Sequence, residues 1–227
     1  MENLLSAQSL LFIGDSITEW GRPAPTSPDY PTALGTGYVA HVDRRIRANH
    51  PGSKLAILNR GIGGNTIRDL AARWEHDVLD LKPDWLSVMI GINDVWRAFD
   101  PVPARAAQAV HADEFERTYE GLLETVRPRV RGLVVFAPFY VQGNLADPMR
   151  ARMDEFGAIT ARVAHRHHAR WIDSQAIVDA LIREIPSTVL AADRVHIDDT
   201  GHRALAIAFL DALEVRRAQT VAPFSFG

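Results

Sequence analysis

The chain has 227 residues and a formal net charge of −3 at pH 7, and 47% of its residues are hydrophobic. This composition is typical of a folded globular protein and excludes a disordered chain, which would bury too little apolar surface to offset its conformational entropy. The sequence contains no cysteine, which excludes disulfides, cysteine-bound metals and a thiol nucleophile, and it has no overall positive charge that would attract nucleic acid.

Short apolar segments alternate along the chain with longer amphipathic ones. The apolar segments predict five strands, at residues 9–14, 54–59, 84–90, 132–138 and 169–173. Helices are predicted between and after them, at residues 37–49, 66–79, 113–126, 149–167, 175–184 and 199–216. This alternation predicts parallel βαβ units with right-handed crossovers. We therefore expect a single α/β domain over residues 1–227, with an open, doubly wound five-stranded sheet and a C-terminal tail from about residue 217.

The N-terminal segment MENLLSAQSLLFIGDS lacks the basic flank and the small-residue cleavage site of a signal peptide. Its apolar run has the length of a strand, and no run in the sequence approaches the ~18 residues that cross a bilayer. We therefore expect a cytoplasmic protein that contacts neither membrane nor nucleic acid.

Candidate catalytic residues follow the predicted strands. Ser16 comes directly after the first strand, Gly64 lies in the glycine-rich turn after the second, and Asn93 follows the third. Asp193 and His196 lie in the last loop, before the final helix. Because ligands of such sheets bind outside the carboxyl ends of the strands, these residues are predicted to share one site.

Together these residue types indicate an esterase with a serine nucleophile. A serine hydroxyl attacks a carbonyl only when a base takes its proton, and His196 can act as that base. Asp193 is close enough in sequence to fix the tautomer of the imidazole and to stabilise the imidazolium. The backbone N–H groups of Ser16 and Gly64 and the side-chain amide of Asn93 are candidate donors to the oxyanion. Such a mechanism requires no metal and no cofactor.

Each of these residues also has a purely structural interpretation. Ser16 could cap a helix, His196 could be an exposed loop residue, and Asn93 could hold its own turn. Asp15 is expected to make structural hydrogen bonds rather than to act as a catalytic acid. The histidines of segment 165–168 are expected at a solvated helix end rather than in a metal site.

Aromatic residues near the strand ends are candidate substrate contacts. Trp96 and Tyr140 follow the third and fourth strands, and Trp20 lies just past Ser16. Aromatic faces suit the apolar C–H patches of sugar rings, although ordinary packing is the alternative. Three further tryptophans lie inside predicted elements and are expected in the core: Trp74, Trp85 and Trp171.

Two segments have no predicted regular structure. Residues 21–35 contain four prolines and follow the candidate nucleophile, so we expect them to form one wall of the acyl pocket. The tail after residue 217 carries Phe224 and Phe226, and we expect it to dock on a neighbouring subunit.

Four segments resemble the sequence blocks of the SGNH hydrolases, also called GDSL esterases: GDSIT at 14–18, NRGIGGNT at 59–66, GIND at 91–94 and DRVH at 193–196. The resemblance implies a three-layer α/β/α sandwich of flavodoxin-like type. It also places the family's catalytic serine, glycine and asparagine at Ser16, Gly64 and Asn93, and its Asp–His pair at Asp193 and His196.

Further segments, among them 33–40, 67–78, 84–97 and 137–150, resemble the bacterial acetylxylan esterase branch of that family. This resemblance implies an intracellular enzyme that removes acetyl groups from short xylo-oligosaccharides and forms homo-oligomers, including octamers. Ile17 stands where the family has leucine, and Ile197 where many members have proline. The alternatives are a lysophospholipase or acyl-thioesterase of the same family and a non-catalytic flavodoxin-like binding module.

Overall fold

The strands of the sheet are short and apolar because most of them are covered on both faces. The computed structural model describes residues 3–215 and contains five parallel strands in the order β2-β1-β3-β4-β5. Every residue of the third and fourth strands is buried, whereas the second strand, at one edge, alternates between buried and more exposed positions. The strands are β1 Ser9–Gly14, β2 Ala56–Gly61, β3 Trp85–Met89, β4 Gly132–Phe136 and β5 Arg170–Ile172.

Helices cover both faces of this sheet in two separate groups. One group packs α2 and α8 against α10, and the other packs α3 and α7 against α6. The α-helices are α1 Ser16–Glu19, α2 Tyr38–Asn49, α3 Ile67–Trp74, α4 Ile92–Trp96, α5 Pro103–Ala106, α6 Ala112–Val126, α7 Pro148–Arg166, α8 Ser174–Leu181, α9 Ser187–Leu190 and α10 Asp199–Ala212. A π-helical turn, Glu75–Leu79, extends α3, and 3-10 turns lie at Leu4–Ser6, Arg97–Phe99 and Arg127–Arg129. The predicted five-stranded α/β sandwich is confirmed.

The strand order also shows where a ligand is expected. β2 lies on one side of β1, and β3 lies on the other, so the order reverses between β1 and β3. A crevice forms at such a switch point, outside the carboxyl ends of the two strands. The residues that follow β1 and β3 therefore face the same crevice.

Several predicted boundaries are wrong. β2 spans 56–61 rather than 54–59, because its ends are set by pairing with β1, from Ser9 opposite Ala56 to Gly14 opposite Gly61. The helices α1, α4, α5 and α9 were not predicted, since helices of four or five residues are too short to show a hydrophobic period. The last helix ends at Ala212, not at residue 216.

The core prediction fails at one tryptophan. Trp74 and Trp85 are buried as expected, but Trp171 is 38% exposed. It lies on β5, a three-residue strand at the edge of the sheet, where fewer neighbours cover a side chain. Phe224, Phe226 and the rest of the predicted tail lie outside the described residues. Between residues 3 and 215, the structure contains no helix that is both long and apolar enough to traverse a bilayer.

Candidate active site

Ser16 lies at the carboxyl end of β1 because the strand turns at once into α1. The carboxylate of Asp15 caps this helix by accepting a hydrogen bond from the amide of Ile17 at 3.0 Å. The turn needs a glycine before it, since a Cβ on Gly14 would lie 2.2 Å from the carbonyl oxygen of Met89 on β3. The turn therefore presents the serine hydroxyl to the crevice between β1 and β3.

A continuous chain of hydrogen bonds joins the serine, histidine and aspartate that the sequence singled out. Ser16 Oγ lies 2.8 Å from His196 Nε2, and His196 Nδ1 lies 2.5 Å from Asp193 Oδ2. Residues 180 positions apart in sequence thus meet with the spacing that a nucleophile and its base require. The geometry can transfer the serine proton to the imidazole.

The loop that carries the histidine is fixed by the aspartate itself. Asp193 Oδ1 accepts hydrogen bonds from the amides of Val195 and His196, at 3.0 and 2.8 Å, which leaves Oδ2 for the imidazole. Arg194 adopts a left-handed conformation with φ of 63°, and its carbonyl accepts from the amide of Val141. Sequence reasoning missed this backbone constraint, because no residue type in the motif indicates it.

Partial burial and hydrogen bonding have opposite effects on the pKa of the Asp193 carboxylate. Burial acts to raise its pKa, but the hydrogen bonds from the His196 ring and from the amides of His196 and Val195 favour the charged form, and the net effect lowers the pKa. Asp193 is therefore ionised at neutral pH and can stabilise a positive charge on the imidazole.

Two tryptophans contact the His196 ring. Trp20 stacks on it, with ring centroids 5.6 Å apart, and Trp96 meets it edge-on at 6.2 Å. Trp20 also contacts the buried ring of His202 at 5.4 Å. Burial lowers the pKa of His202 to about 4, so this second imidazole is neutral at neutral pH and places no charge near His196. Trp20 thus packs against the ring of the candidate base, and its role as a substrate contact stays a prediction.

The candidate oxyanion donors lie beside Ser16. Gly64 has φ of +79°, a conformation that favours glycine, and Asn93 Nδ2 donates one hydrogen bond to the carbonyl of Asn65 at 3.0 Å. Within residues 3–215, no acceptor bonds to the amides of Ser16 and Gly64, so both are available to a ligand oxygen.

Two charged residues that the sequence reasoning missed hold the glycine turn. Glu19, one turn along α1 from Ser16, accepts a hydrogen bond from the amide of Gly63 at 2.7 Å. Arg97, directly after α4, donates to the carbonyl of Gly64 at 3.2 Å. The sequence offered one signal for each residue. Glu19 lies one helical turn after Ser16, and Arg97 directly follows Trp96.

A cavity of about 290 Å³ opens at these residues. It brings together five of the predicted site residues with three charged side chains that were not predicted. Its lining consists of Ser16, Gly64, Asn93, Trp96, Arg97, Asp100, Arg105 and His196.

Three predicted neighbours do not line this cavity: Trp20, Tyr140 and the loop at residues 21–35. The backbone of Tyr140 is held by Gln175, which accepts from its amide at 2.8 Å, and its ring packs against the core. The predicted wall at residues 21–35 is also not confirmed, since this loop contributes nothing to the lining. Arg22 fixes the loop by donating to the carbonyls of Tyr30, Ala33 and Gly61, the last at the end of β2.

Two buried carboxyl groups lie next to the site. Burial raises the pKa of Asp15 and of Asp94 to about 7 in each case. Asp94 Oδ1 accepts from the amide of Ile67 at 2.9 Å and so ties the start of α3 to α4, whereas Asp94 Oδ2 has no partner within residues 3–215. Asp15 has the structural role predicted for it, as the cap of α1.

The histidine cluster near residue 165 is joined to a neighbouring helix. His167 Nε2 lies 2.7 Å from Glu120 Oε1 on α6, and Arg166 pairs with Glu116 and Glu120. Across the described part of the chain, no group of three or more histidine, aspartate or glutamate side chains is placed to hold a metal ion.

Residues 12–204 match the GDSL-like lipase/acylhydrolase family. An acetylxylan esterase of Geobacillus stearothermophilus is 45% identical to this chain over 205 residues, which are 90% of this chain and 93% of the relative.

Solved structures agree with this match. The crystal structure of Axe2, an acetylxylan esterase from Geobacillus stearothermophilus, has a TM-score of 0.89 and 42% identity, and the match covers 97% of this chain and 100% of Axe2. LAE5, an α/β hydrolase from the metagenome of Lake Arreo in Spain, has a TM-score of 0.87 and 39% identity over 96% of this chain and 100% of its own.

Three further structures similar to this chain are catalytic mutants of Axe2, in which a serine, an aspartate or a histidine is replaced by alanine. The fold, the matched family and the similarity over almost the whole chain agree. This chain belongs to the GDSL-like lipase/acylhydrolase family and is a serine carboxylic-ester hydrolase.

Proposed function

We propose that this esterase removes acetyl groups from small carbohydrate esters, with acetylated xylo-oligosaccharides as the substrate class. The observation that carries the mechanism is the hydrogen-bonded chain from Ser16 through His196 to Asp193, at 2.8 and 2.5 Å. The substrate class rests on similarity to acetylxylan esterases over 90% of the chain. The modest cavity, about 290 Å³ in volume and lined partly by charged side chains, supports a small polar ester.

Ser16 Oγ attacks the acetyl carbonyl carbon while His196 Nε2 takes its proton. The oxygen of the tetrahedral intermediate accepts hydrogen bonds from the amides of Ser16 and Gly64 and from the Asn93 side chain. The intermediate collapses, the C–O bond to the sugar breaks, and His196 gives its proton to the departing hydroxyl. This leaves an acetyl group on Ser16.

Water completes the cycle. His196 takes a proton from a water molecule, which attacks the acetyl carbon and forms a second tetrahedral intermediate. Collapse of this intermediate releases acetate and returns the proton to Ser16 Oγ. Asp193 remains ionised throughout and stabilises the imidazolium in both halves.

The test is hydrolysis of p-nitrophenyl esters from acetate to octanoate, followed by acetate release from acetylated xylo-oligosaccharides. We expect fast cleavage of the acetate, a steep decrease with chain length, release from the oligosaccharides and loss of activity in Ser16→Ala. A preference for octanoate would instead favour a lysophospholipase or thioesterase. Unchanged hydrolysis in a folded Ser16→Ala variant would contradict the mechanism and revive the binding-module alternative.

The cytoplasmic location and the homo-oligomer that the resemblance implies are part of the same proposal. Cell fractionation tests the first, and light scattering of the purified protein tests the second. The role of the tail after residue 217 as a subunit contact is tested by the same light-scattering measurement on a chain that ends at residue 216.

A further inference from the structure

Three charged side chains line the cavity, and the proposed mechanism gives none of them a direct contact with the acetyl group. Arg97 follows α4, Asp100 follows the next 3-10 turn, and Arg105 lies on α5. We call this set, Arg97, Asp100 and Arg105, the charged wall. Charged groups in a small cavity beside a nucleophile are costly to desolvate unless a ligand or a partner satisfies them.

The charged wall is only partly satisfied by the protein. Within residues 3–215, the guanidinium of Arg97 has one acceptor, the carbonyl of Gly64, and its buried Nε has none. Arg105 lies 3.6 Å from Asp100, which is longer than a hydrogen bond, and its side chain is 61% exposed. Asp100 Oδ1 accepts from the amide of Val102 at 2.8 Å, while Oδ2 faces Arg105. Donors and an acceptor thus remain for a bound molecule.

The position of the charged wall relates it to the leaving group rather than to the acetyl group. His196 must give a proton to the departing oxygen, so the alcohol part of the ester lies on the His196 side. Trp96 meets the His196 ring edge-on at 6.2 Å and is followed directly by Arg97. Trp96, His196 and the three residues of the charged wall line the same cavity, so an alcohol part on the His196 side has the charged wall within that cavity.

We propose that the charged wall is the leaving-group subsite and that it selects alcohols with neighbouring hydroxyl groups, as in a sugar ring. Each hydroxyl both donates and accepts, so adjacent hydroxyls can accept from the Arg97 and Arg105 guanidiniums and donate to the Asp100 carboxylate. The face of Trp96 suits the apolar C–H side of the same ring. This inference rests on the proposed carbohydrate substrate and adds the residues that recognise it.

The test compares two acetyl esters with different leaving groups. p-Nitrophenyl acetate has an alcohol part without neighbouring hydroxyls, whereas a mono-acetylated methyl xyloside has them. Steady-state kinetics are measured on both for the wild type, Arg105→Ala and Arg97→Lys. Arg117→Ala is the matched control, since this arginine is 74% exposed on α6 and its ion pair with Asp113 is long, at 3.5 Å.

In Arg105→Ala we expect the ratio of kcat/KM for the xyloside to kcat/KM for p-nitrophenyl acetate to decrease about tenfold, the effect of losing one charge-assisted hydrogen bond. The decrease arises from a higher KM with little change in kcat, because the sugar is bound in both the ground state and the transition state. Arg97→Lys retains the charge but not the planar fork, and we expect the ratio to decrease by a smaller factor. Arg117→Ala leaves the ratio unchanged.

The failures of the two proposals can be told apart. If the wild type cleaves both esters but Arg105→Ala and Arg97→Lys leave the ratio unchanged, the subsite is wrong and the carbohydrate esterase stands. If the wild type cleaves p-nitrophenyl acetate but not the xyloside, the carbohydrate substrate is wrong and the subsite is overturned with it.

Discussion

At the scale of single residues, the position of His196 depends on contacts around its whole ring. Ser16 and Asp193 bond to its two nitrogens, Trp20 covers its face and Trp96 meets it edge-on. The residues that carry the proposed chemistry could be predicted, because Ser16, Gly64 and Asn93 follow strands and Asp193 and His196 form a short Asp-x-x-His motif in the last loop. The supporting contact of Trp20 could not, since stacking depends on how α1 and the last loop meet in space.

Arg97 and Glu19 make two further supporting contacts that could not be predicted from the sequence. Both hold the glycine turn at 63–64 by side-chain to backbone hydrogen bonds. A charged residue in a sequence is most often a solvated one, and only the folded arrangement shows which backbone group it reaches. The sequence therefore identified the residues proposed to react and the aspartate that orients the histidine, but not Glu19 and Arg97, which hold the glycine turn.

The buried carboxyl of Asp94 predicts a pH-dependent stability. Its pKa is about 7 in the folded state and about 4 in an unfolded chain, so between those values the folded state keeps a proton that the unfolded chain releases. The free energy of unfolding that this group contributes therefore decreases as pH rises from about 4 to 7. In Asp94→Asn, which keeps the acceptor for the Ile67 amide, this dependence is lost.

Chemical denaturation at pH 5 and pH 8 measures the effect. We expect Asp94→Asn to gain stability relative to the wild type between pH 5 and pH 8, by at most about 3 kcal/mol. Asp113→Asn, a substitution of a carboxylate that is 72% exposed on α6, serves as the control and is expected to show no such gain. An equal pH dependence in Asp94→Asn and the wild type would contradict the raised pKa.

At the scale of elements, the turns after the strands decide the geometry of the site. The helices and strands with a clear hydrophobic period were predicted to within a few residues, because burial of one face imposes that period. The short helices α1, α4 and α5, which surround the cavity, were missed because each contains fewer than six residues. The elements closest to the site were thus the hardest to predict.

The glycine turn after β2 provides a test at this scale. In Gly64→Ala we expect a loss of about 1–2 kcal/mol in the free energy of unfolding, because an L-residue is strained at φ of +79°. The same strain rotates the amide that is proposed to bind the oxyanion, so kcat is expected to decrease as well. Denaturant unfolding and p-nitrophenyl acetate kinetics measure the two effects.

Gly121→Ala is the matched control. Gly121 lies inside α6, and an added Cβ would meet no atom within 4 Å, so alanine is expected to stabilise the chain by about 0.5–1 kcal/mol and leave kcat unchanged. Full activity and stability in Gly64→Ala would show that the left-handed turn is not needed.

At the scale of the whole molecule, the sheet order decides where the site forms. The alternation of strands and helices was sufficient to predict an α/β sandwich with a parallel sheet. The order β2-β1-β3-β4-β5 could not be derived from that alternation, because it depends on which strands pair across the sheet. This order places the switch point between β1 and β3, and Ser16 and Asn93 follow those two strands.

The register of the edge strand β2 is a second whole-molecule property that the local hydrophobic pattern does not predict. β2 pairs from Ala56 to Gly61, two residues further along than the apolar run indicates. Pairing to its last residue brings Gly61 close to α1, where an added Cβ would lie 2.3 Å from the amide nitrogen of Glu19. The glycine turn that follows is thereby positioned beside Ser16.

The central claim is that Ser16 forms the covalent bond to the acyl group, and labelling with diethyl p-nitrophenyl phosphate tests it most directly. This reagent phosphorylates an activated serine with release of p-nitrophenol, and mass spectrometry of proteolytic peptides locates the diethylphosphoryl group. We predict one adduct per chain, on Ser16, with loss of esterase activity in proportion to labelling and no adduct in Ser16→Ala. An adduct on a different residue that abolishes activity, or full activity in a chain labelled at Ser16, would contradict the account.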